Sequence, residues 1–402
     1  MMRSMDRISV IVVATVALLL SACGSPGGPN PNASPAQTPI TTDAPSQGTP
    51  SAAGDATSAP EPTAAASGGP SGRPSPSDPP SAPAATSSAE PPVISLAWTG
   101  PIDAGPSTPG PRSDHTWTVD PAGGIAYLFG GTGPDGPSDD LWAYDLAADA
   151  WSLIEPGGDR PAARFGHVAA WVDGIGLVIW SGQAGSTFFN DLWAYQPAGG
   201  DWRRLPDRGE VPSARYGSCA ALGPDGRLWI SHGFTDAGRF DDTRAYDFSA
   251  ESWSEVTVDG ERPIKRCLHD CFWSADGRLV LYAGQTDGVS ALGDLWALEA
   301  ATGRWTQEPR PEPEPRQLYA LAARDGVAYI LGGADRDRAP LDSMFTLDLT
   351  TLAWQRAEPS GGAPPPRSNA TLVADPERGR LLLYGGMDRA GGLPDLWALQ
   401  TP

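Results

Sequence analysis

Six arginines recur at a near-constant interval: Arg112, Arg164, Arg215, Arg266, Arg316 and Arg367, separated by 52, 51, 51, 50 and 51 residues. A guanidinium presents its donors in a planar fork that matches carboxylate or sulfate, so a ring of them is a candidate anion-binding face. The same residues are equally placed to be internal ties, each holding the loops of its own repeat through backbone carbonyls. His115, His167 and His269 each fall three residues after an arginine, a slot filled by Ser218, Tyr319 and Ala370 in the other repeats. Zinc needs ligands within about 2.1 Å of one point, and equivalent positions in different repeats spread apart, so no metal site is expected. His232 breaks the pattern by replacing a glycine. Other symmetry breakers are Asp114, Phe165, Tyr216, Gln317, Tyr319 and Asn369 near the repeat starts, and Phe188, Phe189, Phe234, Asp236, Arg239, Asp241 and Arg336 in loops. Aromatics beside carboxylates and arginines suit a peptide or a sugar. Phe189, His232 and Arg336 therefore join the six arginines as candidate binding residues. No nucleophile elbow, phosphate loop or EF-hand spacing is present, so no catalytic residue and no cofactor are assigned.

Three cysteines fall close to the arginines. Cys267 and Cys271 in one extended strand would lie about 13 Å apart, beyond disulfide reach. Side-chain parity points Cys219 and Cys267 to opposite faces, and packed sheets meet face to opposite face. Cys219–Cys267 is the expected pairing, although a three-residue offset in height works against it.

The elements that must carry these residues are short strands. A tryptophan closes each repeat, at Trp98, Trp151, Trp202, Trp253, Trp305 and Trp354. Each arginine is followed by one strand, a turn, and a short apolar run such as Leu177-Val178-Ile179-Trp180 bounded by glycines. Such runs fit strands buried on both faces. A third strand carries Asp-Leu-Trp at 140–142, 191–193, 294–296 and 395–397, with variants Asp242-Thr243-Arg244 and Asp342-Ser343-Met344. A period of about 50 residues predicts a propeller of four-stranded blades, here an all-β propeller of six blades over residues 92–402. The last repeat stops after its third strand, so the segment around Trp98 should supply the missing outer strand and close the ring. The di-glycine followed by a spaced tryptophan resembles the kelch repeat. That resemblance implies the galactose oxidase/kelch-type superfamily, whose members include binding propellers, a sialic acid mutarotase and a copper oxidase. The Tyr, His and Cys copper set of that oxidase is not recognisable in this sequence.

The first 22 residues read as an address. Arg3 and Arg7 precede an apolar run over residues 8–20, then Leu20-Ser21-Ala22-Cys23. Thirteen helical residues span about 20 Å, too short for a hydrocarbon core of about 30 Å, so a secretory signal is expected. The last four residues resemble the lipobox of bacterial lipoproteins, which implies lipidation at Cys23 and anchoring to a membrane outside the cytoplasm. Residues 23–91, rich in Pro, Ala, Ser and Thr, should form a disordered stalk. The net charge is −20, with Lys265 the single lysine, which excludes a phosphate-binding surface and hence nucleic acid. The expected function is a membrane-anchored binding or scaffolding propeller for a protein, peptide or glycan, with a carbohydrate-active mutarotase as the alternative.

Overall fold

The computed structural model describes residues 95–309 and 313–402. The expected signal segment, Cys23 and the stalk lie outside the described residues. What is described is all β, with no helix among those residues.

Six sheets repeat one plan, with consecutive strands a to d paired antiparallel. Blade one runs Thr116–Asp120, Ile125–Phe129, Leu141–Asp145 and Ala150–Ile154. The apolar runs read from the sequence are the b strands. Gly176–Trp180 and Arg380–Tyr384 are buried at every residue, as strands covered on both faces must be. Blade six is completed by the strand that precedes blade one in the chain. Ala97–Thr99 pairs with Leu396–Gln400, Trp98 opposite Leu399. The segment after blade five adds a second tie, since the Trp98 amide donates to the Ser360 carbonyl at 2.8 Å.

Closing tryptophans lock neighbouring blades together. Trp151 meets Tyr384 at 5.1 Å between ring centroids, Trp202 meets Phe129 at 5.1 Å, and Trp354 meets Tyr282 at 4.8 Å. In each pair an outer strand packs against the end of the preceding blade's b strand. Such contacts add about 0.5–1.5 kcal/mol beyond the area they bury.

The end of strand b explains the paired glycines. Both residues of each pair take positive φ, and the first slot accepts Ser181, His232 or Ala283. The second is glycine in every blade because strand a runs against it. A Cβ at Gly131 would lie 2.7 Å from the His115 Cβ, and one at Gly284 2.6 Å from the Cys267 carbonyl.

The innermost strands begin with a closed belt of backbone hydrogen bonds around the axis. The residue two after each arginine has positive φ, and its amide donates to the carbonyl of its counterpart one blade back. Gly166 donates to Asp114, Gly217 to Gly166, Leu268 to Gly217, Leu318 to Leu268, Asn369 to Leu318, and Asp114 back to Asn369, at 2.8–3.2 Å. The belt frames one mouth of the central channel.

Candidate functional site at the channel mouth

The arginines are consumed by the fold. All six are buried, between 0% and 6% exposed, so they cannot form an anion-binding face; this corrects that expectation for Arg112, Arg164, Arg215, Arg266, Arg316 and Arg367. The internal-tie reading holds, with a partner that the sequence reading did not name. Arg164 is representative: its Nε donates to the Ala162 carbonyl at 3.0 Å and its Nη1 to the Ser181 carbonyl at 3.0 Å. The fork then closes on Asp191, with Nη1 to Oδ1 at 2.7 Å and Nη2 to Oδ2 at 3.0 Å. The same fork joins Arg112 to Asp140, Arg215 to Asp242, Arg266 to Asp294 and Arg367 to Asp395. The tryptophan of Asp-Leu-Trp donates its indole N–H to that carboxylate, as Trp193 does to Asp191 at 2.7 Å. Arg244 takes that role in blade three, its Nε 3.1 Å from Asp242. Burial alone would raise these carboxyls, but the guanidinium hydrogen bonds and charge outweigh it and hold Asp140, Asp191, Asp242, Asp294 and Asp395 below the ordinary value.

Blade five departs from the rule. The residue in the aspartate slot is Ser343, one later than the sequence alignment of Asp342 places it, because strand c starts at Met344. Its Oγ accepts from Arg316 Nη2 at 3.0 Å and donates to Glu314 at 2.6 Å, and Glu314 supplies the missing carboxylate 3.1 Å from the guanidinium.

The other candidates divide. Phe189 lies over the Arg164 guanidinium at 4.2 Å, so it roofs a structural arginine rather than a ligand. His232 is wholly buried, its Nδ1 2.7 Å from the Ser231 hydroxyl, and is corrected from a binding residue to a core one. Burial, with Arg266 nearby, lowers its pKa to about 3. Arg336 is exposed on the b–c loop of blade five. Two histidines at the shared slot are buried hydrogen-bonded links between blades: His167 Nε2 meets Thr116 Oγ1 at 2.8 Å, and His115 Nε2 meets Thr371 Oγ1 at 2.6 Å; the third, His269, is buried with its ring 5.5 Å from that of His232. Among the described residues no three or more His, Cys, Asp or Glu side chains group as a metal site.

The disulfide joins Cys219 to Cys271, not to Cys267, with Cα atoms 5.4 Å apart. Cys271 has the parity expected of Cys267 and lies one position, not three, from Cys219 along neighbouring inner strands. Cys267 lies before the positive-φ residue Leu268, where strand alternation is broken. It is buried, with the Gln285 side-chain amide 3.7 Å from its Sγ.

Symmetry breaks at the mouth. Asp114, from blade one, accepts from the Asn369 side-chain amide of blade six at 2.8 Å and from the Tyr216 hydroxyl of blade three at 3.2 Å. Ser113 donates to its second oxygen at 3.1 Å. Burial raises the Asp114 pKa against the pull of these hydrogen bonds. Tyr216 lies over Gly166, where a Cβ would strike its ring, and packs edge-on to Phe165 at 5.6 Å. The mouth thus carries an acidic, hydrogen-bonding side next to an aromatic one. It opens on a channel cavity of about 280 Å³ whose wall includes Asp270. The sequence reading passed over Asp270. It is the one charged residue four after an arginine, where the other blades place Thr116, Val168, Cys219, Ala320 and Thr371.

A ring of six four-stranded blades, closed by its own N-terminal strand and braced by one arginine per blade, defines a β-propeller of kelch type. A family profile described as the KLHDC2/KLHL20/DRC7 Kelch-repeats domain matches residues 93–284 and 251–402, and the chain belongs to this kelch-repeat family. It is 28% identical over 249 residues to Kelch domain-containing protein 10 of Xenopus laevis, covering 57% of this chain and 59% of that protein. It is 28% identical over 278 residues to leucine-zipper-like transcriptional regulator 1 of Pongo abelii, covering 63% of this chain and 32% of the relative. A third relative, an N-(sulfonatooxy)prop-2-enimidothioate sulfolyase of Thlaspi arvense, is 25% identical over 326 residues, with 72% of this chain and 92% of the relative covered.

Proposed function

We propose that the protein is a tethered recognition module. Its propeller takes a peptide segment of a protein partner at the arginine-side channel mouth, and Cys23 anchors it outside the cytoplasm through the stalk of residues 23–91. The observation that carries the binding reading is the meeting of Asp114, Tyr216 and Asn369 at the mouth. Three blades contribute one side chain each to a cluster that the sixfold plan does not require. A repeated architecture needs no such cluster to fold, and an acidic group beside the half-buried Tyr216 ring offers both a hydrogen-bond acceptor and an aromatic face to a peptide. Membership of a family whose propellers serve protein interaction supports the scaffold role. Two features support export: the Leu20-Ser21-Ala22-Cys23 segment, and the Cys219–Cys271 disulfide, a bond that persists mainly outside reducing compartments.

The test is a displayed peptide library panned against the wild-type chain, with hits re-measured on Tyr216→Ala and Asp114→Ala. Peptides that lose at least tenfold in affinity on both variants, at unchanged melting temperature, support the reading. Peptides that bind all three proteins equally, or a glycan array that selects ligands where the library selects none, overturn it. Anchoring is tested separately: radiolabelled palmitate should enter the wild-type chain in a bacterial host and not Cys23→Ser.

A further inference from the structure

The channel wall holds a carboxylate that the fold leaves unanswered. In blades one and six the residue four after the arginine is a threonine, and its hydroxyl meets the histidine of the next blade. Blade four places Asp270 there, and the next blade brings Tyr319 instead of a histidine. The Tyr319 hydroxyl donates to the Tyr282 carbonyl at 2.8 Å and accepts from the Asp270 backbone amide at 3.0 Å. Nothing remains for the side chain. Among the described residues the Asp270 carboxylate has no hydrogen-bond donor and no counter-charge, and burial alone raises its pKa, to about 7.

The surroundings give this group one sign and one shape. Asp270 shares a single cavity with Asp114, Gly166 and Asn369 of the mouth, so the two are connected. Among the described residues lining that cavity there is no lysine or arginine. Burial lowers the pKa of His115 to about 3 and holds His167 and His269 well below the ordinary value, so the histidines bring no positive charge near neutrality. Ala169, Leu321 and Leu372 make part of the wall apolar. Asp270 is half-buried and lines that cavity, so a cation entering from the mouth meets a carboxylate with no other counter-charge in confined surroundings, where opposite charges attract more strongly than in open water. Of the two carboxylates lining the cavity, that of Asp114 already accepts from Asn369, Tyr216 and Ser113, and the one left without a donor, on Asp270, matches a single positive charge. Calcium would need six to eight oxygens, several of them from carboxylates.

We propose that the channel receives the side chain of a lysine, its ammonium paired with Asp270 and its alkyl stem along the apolar wall. This deepens the peptide-recognition reading and rests on it: the peptide held at the mouth inserts one lysine along the axis. The disulfide at the adjacent Cys271 ties strand a of blade four to that of blade three, which fixes Asp270 beneath the mouth.

The experiment is calorimetry on the full chain with N-acetyl-lysine amide and, as the uncharged shape match, N-acetyl-norleucine amide. The lysine compound should bind at least tenfold more tightly, and Asp270→Asn and Asp270→Thr should each remove that preference. The threonine variant reproduces the residue type of blades one and six and so guards against a folding defect, checked by circular dichroism. The other titratable groups lining the cavity are Asp114, His115, His167, His269, Tyr216 and Tyr319. Binding should strengthen as pH rises through about 7, where Asp270 ionises. Equal binding of the norleucine compound, an unchanged preference in both variants, or potassium displacing the lysine compound at equal concentration would overturn the proposal. If lysine compounds fail while Tyr216-dependent peptides still bind, this inference falls alone. If lysine compounds bind through Asp270 and no Tyr216-dependent peptide exists, the recognition reading falls instead.

Discussion

Two rings circle the axis of the propeller, four residues apart in the chain. The first is the arginine ring, where each of six residues is buried and saturated by its own blade. The second is the ring of positions that follows it into the channel, filled by Thr116, Val168, Cys219, Asp270, Ala320 and Thr371. The first repeats almost without variation and is closed to any ligand. The second varies at nearly every blade, and it includes Asp270, a carboxylate without a donor among the described residues. In a molecule built by repetition, sameness marks what holds the blades together, and departures mark where chemistry is left over. Blade five tests the rule from within the first ring. When Ser343 takes the aspartate slot, Glu314 enters from another position and the arginine keeps a carboxylate.

The comparison can be broken or sharpened by experiment. The largest effect should come from removing the closure on which both rings depend. Deleting residues 95–100 strips the outer strand from blade six and exposes Leu396–Gln400 as an edge, and the chain should lose its cooperative thermal transition in calorimetry; a melting temperature within a few degrees of wild type would refute closure by this strand. Next is Arg164→Ala, which leaves Asp191 without its guanidinium. Breaking one side of a buried pair costs about 3–5 kcal/mol, readable as a shift in the urea midpoint, and a shift below about 1 kcal/mol would mean that the first ring is decorative. Removing the disulfide with Cys219→Ser and Cys271→Ser together should cost about 2–4 kcal/mol, and reductant should then cease to affect the urea midpoint. The smallest effect is a slope. The Asp270 carboxyl binds its proton more tightly folded, near 7, than its ordinary value of 3.8. Between those values the folded chain holds a proton that the unfolded chain lacks, so this group makes stability fall as pH rises, by about 1.4 kcal/mol per unit. Asp270→Asn should flatten that decline between pH 4 and 7, and an unchanged profile would place the titration elsewhere.

Much of this architecture was legible in the chain itself. The near-constant arginine interval, the apolar runs and the unfinished last repeat predict the blades, their b strands and the closure, because each is a local pattern repeated. The arginine partner was legible too, but at a distance: Asp140, Asp191, Asp242, Asp294 and Asp395 follow their arginines by 27 or 28 residues. Each also leads into a third strand, and that local motif does not by itself reveal the distant arginine. The cysteine pairing failed for a geometric reason. Parity admits Cys267 and Cys271 equally as partners of Cys219, and position along the strand decides between them: Cys271 is offset by one residue and Cys267 by three. Asp270 escaped notice because its significance lies in what the neighbouring blade lacks, and that required knowing which hydroxyl faces it.

The belt of amides around the mouth, from Asp114 through Asn369 and back, has no first and no last member. A helix can unwind from its tip and a sheet can peel from its rim, so deuterium ordinarily enters such elements at their ends. Here every N–H is guarded on both sides, and none can be released without parting two blades. These six protons should therefore exchange together, at the slow pace at which the whole wheel comes apart.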